Sequence, residues 1–389
     1  MEKLVTSNLK LGIIAGGQLG KMLIQEASKW DLTTFVLDEE ENCAAGGIAS
    51  FFVKGNPSDY HSVYRFGKMV DVLTFEIENI NIDALKQLKS EGLRISPDPE
   101  ILELIQDKGL QKEFYLKNNI PTSPFKLFTN SSEINISINN HETSFPFVQK
   151  LKKGGYDGKG VAVINNKSEL HKLLQGESIV EDKIEITKEI SVIAARNLKG
   201  EIKCYPVVEM IFDPNANLLD KLICPATITQ EHNEKAIQIA TKIIEELNMT
   251  GLLAVEFFID RNGDVIVNES APRPHNSGHH TIESVITSQF EQHLRAILNL
   301  PLGSTQLKIP AVMVNILGSE SFEGAVRYEG LTESMAIEGV KIHLYGKKIT
   351  RPFRKMGHAT ILSSDMESAL IRADKVKQLI KVKSWDKKL

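Results

Sequence analysis

Cysteine is scarce in this chain of 389 residues. There are three, Cys43, Cys204 and Cys224, too few and too scattered for a disulfide framework or a zinc site. No apolar run approaches the ~20 residues of a membrane-spanning helix; the longest, 251–259 and 311–317, have strand length. The beginning of the chain lacks a signal-peptide pattern, because Thr6, Ser7, Asn8 and Lys10 interrupt it before a short apolar run. Basic residues are not in excess: 46 Lys+Arg against 50 Asp+Glu leave a net charge of −4, without the basic footprint of a nucleic-acid binder. No internal repeat or low-complexity segment is visible. These absences predict a reduced, cytoplasmic protein with neither a membrane nor a nucleic acid as partner. What is present is ordinary for a globular chain, 42% hydrophobic and 25% charged residues, with length for two or three domains.

The first hundred residues alternate strand and helix signals. Residues 11–15, 33–37 and 70–75 read as buried strands, and 18–29 and 82–91 carry helical spacing. Such units argue for a parallel α/β sheet with right-handed crossovers. After the proline-containing stretch 95–99 the texture changes to α+β. A helix is expected over 107–118. The Ser/Asn-rich stretch 130–144 reads as a loop, or as an exposed strand through Ile134, Ile136 and Ile138. Strands follow at 147–151, 179–184, 190–195 and 202–210, with a hairpin turn at 197–200. Ala236, Ala240, Ile243, Ile244 and Leu247 mark one apolar helix face. From about residue 309, strands at 311–317 and 341–345 and a helix near 366–380 form a third region.

Asn262-Gly263, between two β-rich runs, signals a two-residue hairpin loop. A loop of that length sets Glu256 directly opposite Glu269, with Cβ atoms roughly 4.5–5.5 Å apart, where like charges repel. Either the two carboxylates splay into solvent or a divalent cation reverses the penalty. The apolar neighbours Ala254, Val255, Phe257, Phe258 and Val267 favour the cation, and Mg²⁺ characteristically takes one or two carboxylates plus phosphates. The run from Lys150 to Gly160 has four glycines in seven residues. Backbone N–H groups at that density can wrap an anion, although a hairpin tip with solvated lysines fits the same pattern, and the spacing is not that of a P-loop. Residues 15–20, Ala-Gly-Gly-Gln-Leu-Gly, follow a strand and open a helix, a weakened dinucleotide fingerprint with Asp38 at the next strand end. A helix N-terminus there would hold a phosphate of any ligand. Arg273, His275 and Asn276, between prolines and just after Glu269, offer converging donors to an anion. Arg351, Arg354 and Lys355 form either a solvated face or a phosphate grip.

In chain order these motifs resemble the ATP-grasp superfamily, and most of all the N5-carboxyaminoimidazole ribonucleotide synthases, ATP-dependent carboxylases of purine biosynthesis. The resemblance runs from about residue 11 to 357. It rests on Gly-Gly-Gln-Leu-Gly at 16–20, Phe-Glu-Ile-Glu at 75–78 and Gly-Gly-Tyr-Asp-Gly-Lys-Gly at 154–160. It rests further on Asn-Glu-x-Ala-Pro-Arg-x-His-Asn-Ser-Gly-His at 268–279 and Arg-Lys-Met-Gly-His at 354–358. It implies an ATP-grasp fold (105–304, two lobes) preceded by a parallel, Rossmann-like α/β domain (1–104) and followed by a small C-terminal domain (305–389). The implied reaction is phosphorylation of bicarbonate by ATP and transfer of the carboxyl group to the exocyclic amine of 5-aminoimidazole ribonucleotide. A homodimer is implied as well.

Matched position by position, the resemblance gives ATP to Lys108, Lys150, the loop Gly155, Tyr156, Asp157, Gly158, Lys159, Gly160 and Val161, and Asn268 with Glu269. The backbone of Glu181, Asp182, Lys183 and Ile184 would read adenine, and Glu189 the ribose. Glu256 and Glu269 match the Mg²⁺ ligands. The aminoimidazole ribonucleotide falls to Gln18, Leu19, Glu76, Arg273, His275, Asn276, Lys347, Arg354 and Lys355. Tyr156, Asp157, Arg273 and His275 match the catalytic group, with Asp157, His275 or released phosphate as the base. Two positions depart from the family pattern: Ala15 replaces a common glycine, and Phe212 stands nearest to where many members carry a histidine. The nearest alternative, formate-dependent phosphoribosylglycinamide formyltransferase, carries Glu at the position of Gln18, a Ser-rich loop instead of Gly-Gly-Tyr-Asp, and Asp at that of Asn276. A nicotinamide-dependent dehydrogenase built on Gly16–Gly20 leaves the Glu256/Glu269 pair unexplained.

Overall fold

The computed structural model describes residues 8–155, 160–213 and 218–385. Strands Lys10–Ile14, Thr33–Asp38, Phe51–Lys54, Val72–Phe75 and Arg94–Ile95 form a five-stranded parallel sheet. Their apolar sequences suit a sheet covered on both faces. Leu11, Ile13 and Val36 pack with helix Gln18–Ser28 on one face, and Ile14, Leu37 and Leu73 with helices Tyr60–Gly67 and Ile82–Ser90 on the other. The strand order reverses between Lys10–Ile14 and Val72–Phe75. Doubly wound sheets take their ligands at the carboxyl ends of such a pair. Residues 16–20 and 76–78 both leave the sheet there. Strand Phe51–Lys54 and helix Tyr60–Gly67 had no clear periodicity in the sequence; the helix starts where Asp59 accepts from Ser62 N at 2.7 Å.

Two antiparallel sheets follow. The smaller orders its strands Phe125–Phe128, Ser178–Asp182, Phe147–Leu151 and Val161–Ile164. The larger has nine strands and contains Val265–Ala271, Gly251–Asp260, Ile186–Arg196, Val208–Asp213 and Leu218–Cys224 in sequence across it. It continues through Ala311–Leu317, Lys355–Leu362 and Val340–Leu344, so hydrogen bonding crosses the boundary expected near residue 305 without a break. Alternation along the large sheet sends Ile190, Val192, Val255 and Phe257 against helix Gln230–Glu246. The opposite face carries Glu189, Ser191 and Glu256, aligned by the register Ser191 to Glu256 and Glu189 to Phe258.

Two expectations change. The Ser/Asn-rich stretch 130–144 contains helix Ser131–Asn139 instead of a loop or strand. Asn130 accepts from Glu133 N (3.1 Å) while Glu133 reaches back to Thr129 N (2.8 Å), a reciprocal cap strong enough to start a helix in polar sequence. Ile134 is buried and Ile136 is exposed, so the apparent alternation belongs to a helix face. The strand expected at 202–210 is broken into Ile202–Cys204 and Val208–Asp213, with Pro206, which has no N–H to give a ladder, in the gap. Helix Gln289–Ile297 places Phe290, Leu294 and Ile297 in the N-terminal core beside Leu11 and Leu23. Gln289 of this helix bonds the backbone of His275 at both N and O (2.9 and 2.7 Å), which ties the segment after Glu269 to it.

Candidate active site

The carboxylate pair forms as expected, by a different route. The hairpin turn holds three residues, 261–263, with Gly263 left-handed at φ 84° and Asp260 accepting from Asn262 N and Asp264 N at 2.8 Å each. That length pairs Phe257 with Val267, and continued regularly it would set Glu256 against Asn268. A bulge between Glu256 and Phe257 absorbs one residue, and Glu256 then pairs with Glu269. Bulges of this kind re-aim side chains beside active sites. Here consecutive residues serve one cleft: Asn268 accepts from Lys150 Nζ at 2.8 Å, and Glu269 takes the Lys108 ammonium.

The charges around the pair are sharply divided. Glu269 is held well below the usual carboxylate range, chiefly by Lys108, whereas burial and the Glu269 charge push Glu256 up. Burial also lifts Glu189, on the same face, to about 7. His275 Nε2 lies 3.6 Å from Glu256, its Nδ1 is 2.9 Å from Ser277 Oγ, and that hydroxyl is 3.0 Å from Ser191 Oγ. Two carboxylates directly opposite on paired strands suit a hard cation that takes oxygen ligands. Lys150 reaches across from the small sheet, where its Nζ is 2.7 Å from Glu181. Asp182, Lys183 and Ile184 continue from Glu181 at the end of an interior strand of that sheet, with Lys183 donating to Asn165 at 3.0 Å. Gly155 and Gly160 bring the two ends of the glycine-rich loop together. A Cβ on Gly160 would sit 3.2 Å from the Gly155 Cα, and Leu151 N donates to Gly160 O at 2.8 Å, just before Val161. Tyr156, Asp157, Gly158 and Lys159 lie outside the described residues.

The second half of the site is at the parallel sheet. The helix N-terminus expected to hold a ligand phosphate is partly occupied from within, by carboxylates of the chain itself. Glu76 accepts from Gly17 N (2.5 Å) and Gly20 N (2.6 Å), and Asp38 accepts from Gly16 N (2.7 Å). By helix geometry the amides of Gln18 and Leu19 have no intrahelical acceptor, and the Leu19 side chain is buried in the core. Ala15 is left-handed at φ 72°, which accounts for the glycine common at that position. Two adjoining polar clefts open here, of about 290 and 670 Å³. Glu76 and Asn79 line the first, while Lys54, Lys347 and Arg354 line the second; Gly17 and Asp38 line both. Lys347, lowered to about 8 by burial, donates to Lys355 O at 2.9 Å, and Arg354 donates to Ile349 O at 2.6 Å. Arg273 is pinned by Glu78 at 2.8 Å, and Asn276 Oδ1 is buried without a partner among the described residues. Glu78 was missed as a functional residue, though it stands two positions from Glu76 in a motif already singled out.

Burial lifts the Glu76 carboxyl from 4.5 to about 7, despite the two N–H groups and Arg273. Between those pH values the native state keeps a proton that the unfolded chain has lost. Glu76 therefore opposes folding increasingly as pH rises through that window, by up to about 3 kcal/mol. Glu76→Gln is expected to remove this slope. In urea unfolding from pH 4.5 to 7, the variant should gain on the parent as pH rises; a difference that stays constant would refute the buried-carboxylate account.

Comparison with known proteins agrees with this geometry. Family models match at residues 9–106 (ribonucleotide synthetase preATP-grasp domain), 113–290 (ATP-grasp domain) and 311–372 (phosphoribosylaminoimidazole carboxylase C-terminal domain). The chloroplastic phosphoribosylaminoimidazole carboxylase of Vigna aconitifolia is 37% identical over 92% of this chain, which spans 65% of that longer protein. The N5-carboxyaminoimidazole ribonucleotide synthase of Bacillus subtilis is 35% identical, with 93% of each chain aligned. The crystal structure of N5-carboxyaminoimidazole ribonucleotide synthetase from Thermotoga maritima superposes with a TM-score of 0.89 at 46% identity, covering 97% of this chain and 99% of that one. Similarity of this extent, over a site whose carboxylates and lysines converge as the motifs require, establishes that the chain belongs to the N5-carboxyaminoimidazole ribonucleotide synthases of the ATP-grasp superfamily.

Proposed function

We propose that the protein carboxylates the exocyclic amine of 5-aminoimidazole ribonucleotide, using ATP and bicarbonate and releasing ADP and phosphate. One observation carries this reading: Glu256 and Glu269 stand directly opposite on paired strands, with Lys108 on Glu269 and Lys150 on the adjoining Asn268, while Arg273, four residues after Glu269, is tied to Glu78 at the parallel sheet. Domains near 1–104, 105–304 and 305–389, a cytoplasmic location and a homodimer belong to the same reading. In support, the family models divide the chain at similar places, and no helix among the described residues is long and apolar enough to cross a membrane.

The problem in this reaction is electrostatic, because phosphoryl transfer to bicarbonate brings two anions together. Glu256 and Glu269 would hold Mg²⁺, which supplies positive charge at the transferring phosphoryl group. Lys108 and Lys150 extend from the first turn of a helix and from the small sheet into the same cleft, where they bind and orient the phosphates. The resulting carboxyphosphate is labile in water, so the reaction requires a site from which solvent is excluded. On the acceptor side Glu78 orients Arg273, and Lys347, Arg354 and Lys355 provide cations for a phosphate monoester. The amine proton would go to Asp157, to the released phosphate, or to His275, which is bonded to Ser277.

The test is ADP release with Mg·ATP and bicarbonate, with and without aminoimidazole ribonucleotide. Release should depend on that acceptor. Release that ignores it and follows glycinamide ribonucleotide plus formate would instead assign the formyltransferase reaction.

A further inference from the structure

Lys112 is a charged side chain with almost no access to water, and no step above uses it. It lies one helical turn after Lys108 on helix Lys108–Lys117, with its side chain 3% exposed. Its Nζ meets Glu181 Oε1 and donates to Thr122 Oγ1 (2.5 Å) and Ser123 Oγ (3.0 Å). Glu181, also 4% exposed in its side chain, accepts from Ser123 Oγ at 2.9 Å and binds Lys150 through its other oxygen at 2.7 Å. Lys150 in turn donates to Asn268. A continuous polar path thus runs from the helix through the small sheet to the bulge on the large one.

The charge balance of this path has a consequence. Two lysines share one carboxylate, so the trio retains one positive charge in a place where charge is poorly solvated. Burial alone would raise Glu181, yet Lys150 and Lys112 together hold it down at about 2. Without Lys112, Glu181 and Lys150 would close into a neutral pair, and an incoming phosphate would compete with a buried carboxylate for the ammonium. With Lys112 present the carboxylate is already satisfied, and the spare positive charge awaits an anion.

We propose that Lys112 is a positioning residue for the nucleotide: by neutralising Glu181 it leaves Lys150 available to the phosphates of ATP. The proposal rests on the ATP-dependent reading above. It predicts that Lys112→Met, measured calorimetrically on the full chain with Mg·ADP and Mg·ATP, weakens nucleotide binding about tenfold or more. KM for ATP should rise in step, while KM for aminoimidazole ribonucleotide stays within about twofold. The double variant Lys112→Met with Glu181→Gln removes the competing carboxylate and should recover affinity to within about threefold of the parent. A role confined to packing makes the double variant at least as poor as the single one, and that result would overturn the proposal. Unchanged nucleotide affinity in Lys112→Met would do the same. Should the single variant not fold, the double variant, which buries no unpaired charge at these two positions, decides alone by the same threshold. A parent chain that binds no Mg·ATP would remove the ATP-dependent reading itself, and this proposal with it.

Discussion

Glu269→Gln is expected to lower kcat about 10³-fold while leaving the fold intact. Glutamine has the shape of glutamate, and the Glu269 side chain is 43% exposed to the cleft, so packing loses little. What disappears is one of the two carboxylate charges, together with the partner of Lys108. With a neutral amide at 269, Glu256 no longer faces a second charge across the strands, and the pair that would attract a divalent cation becomes a single weak ligand. Removing one electrostatic contact to charge that develops in a transition state costs about 10²–10³ in rate, and losing a metal ligand should fall at the upper end. Turnover with saturating ATP, bicarbonate and acceptor is the measurement, with thermal unfolding as the control. A variant that retained more than about a tenth of the parental kcat would sink the assignment of the pair. Excess Mg²⁺ should recover part of the loss, because the remaining ligand still binds weakly.

That pair also shows how far the sequence could be read and where it stopped. Glu256 opposite Glu269 was deducible from a hairpin signal, yet the deduction assumed a two-residue turn and an unbroken ladder. The turn has one residue more and the strand has one bulge, and the two departures cancel at the carboxylates. Residue spacing cannot reveal a bulge, since its cause is tertiary: Lys150 and Lys108 draw two consecutive side chains into one cleft. The same limit appears at Glu76. The Gly16–Gly20 motif marked an anion-seeking helix end, but two of its amides are taken by the chain's own Glu76, which follows the neighbouring strand Val72–Phe75, 56 residues from Gly20. Periodicity recovered most strands of the parallel sheet, because burial on both faces leaves long apolar runs. It failed over 130–144, where reciprocal capping by Asn130 and Glu133 outweighs a polar composition. A buried partner such as Lys112 carried no local signal. A lysine on a helix is ordinarily read as solvated, and here a carboxylate from a strand some seventy positions on buries it.

Gly17→Ala is expected to raise KM for aminoimidazole ribonucleotide at least about a hundredfold, with KM for ATP nearly unchanged. The reason is space, not backbone freedom: Gly17 has φ −73°, a value that any residue adopts. A Cβ at this position would stand 2.2 Å from Glu76 Oε1 and 3.1 Å from its Cδ, and that carboxylate is bonded to the Gly17 amide itself. Glu76 is 4% exposed, and its carboxylate is held by both the Gly17 and the Gly20 amide. It must swing away from Gly17 N and Gly20 N, leaving two buried donors unpaired, or push the Gly16–Gly20 turn into the cleft. Each unpaired buried group costs roughly 1–3 kcal/mol, and the carboxylate more; two donors at about 2 kcal/mol each lose about 4 kcal/mol, beyond the roughly 2.7 kcal/mol of a hundredfold change. The disturbance lies at the parallel sheet, on elements other than those that carry Lys108, Lys150 and the carboxylate pair, which is why nucleotide binding should be spared. Gly47→Ala is the matched control, because a Cβ there meets nothing within 4 Å. Steady-state kinetics on both variants, with acceptor and ATP varied in turn, would separate the outcomes. Equal KM values for the acceptor in Gly17→Ala and Gly47→Ala would show that the contact between Gly17 and Glu76 does not shape the substrate site.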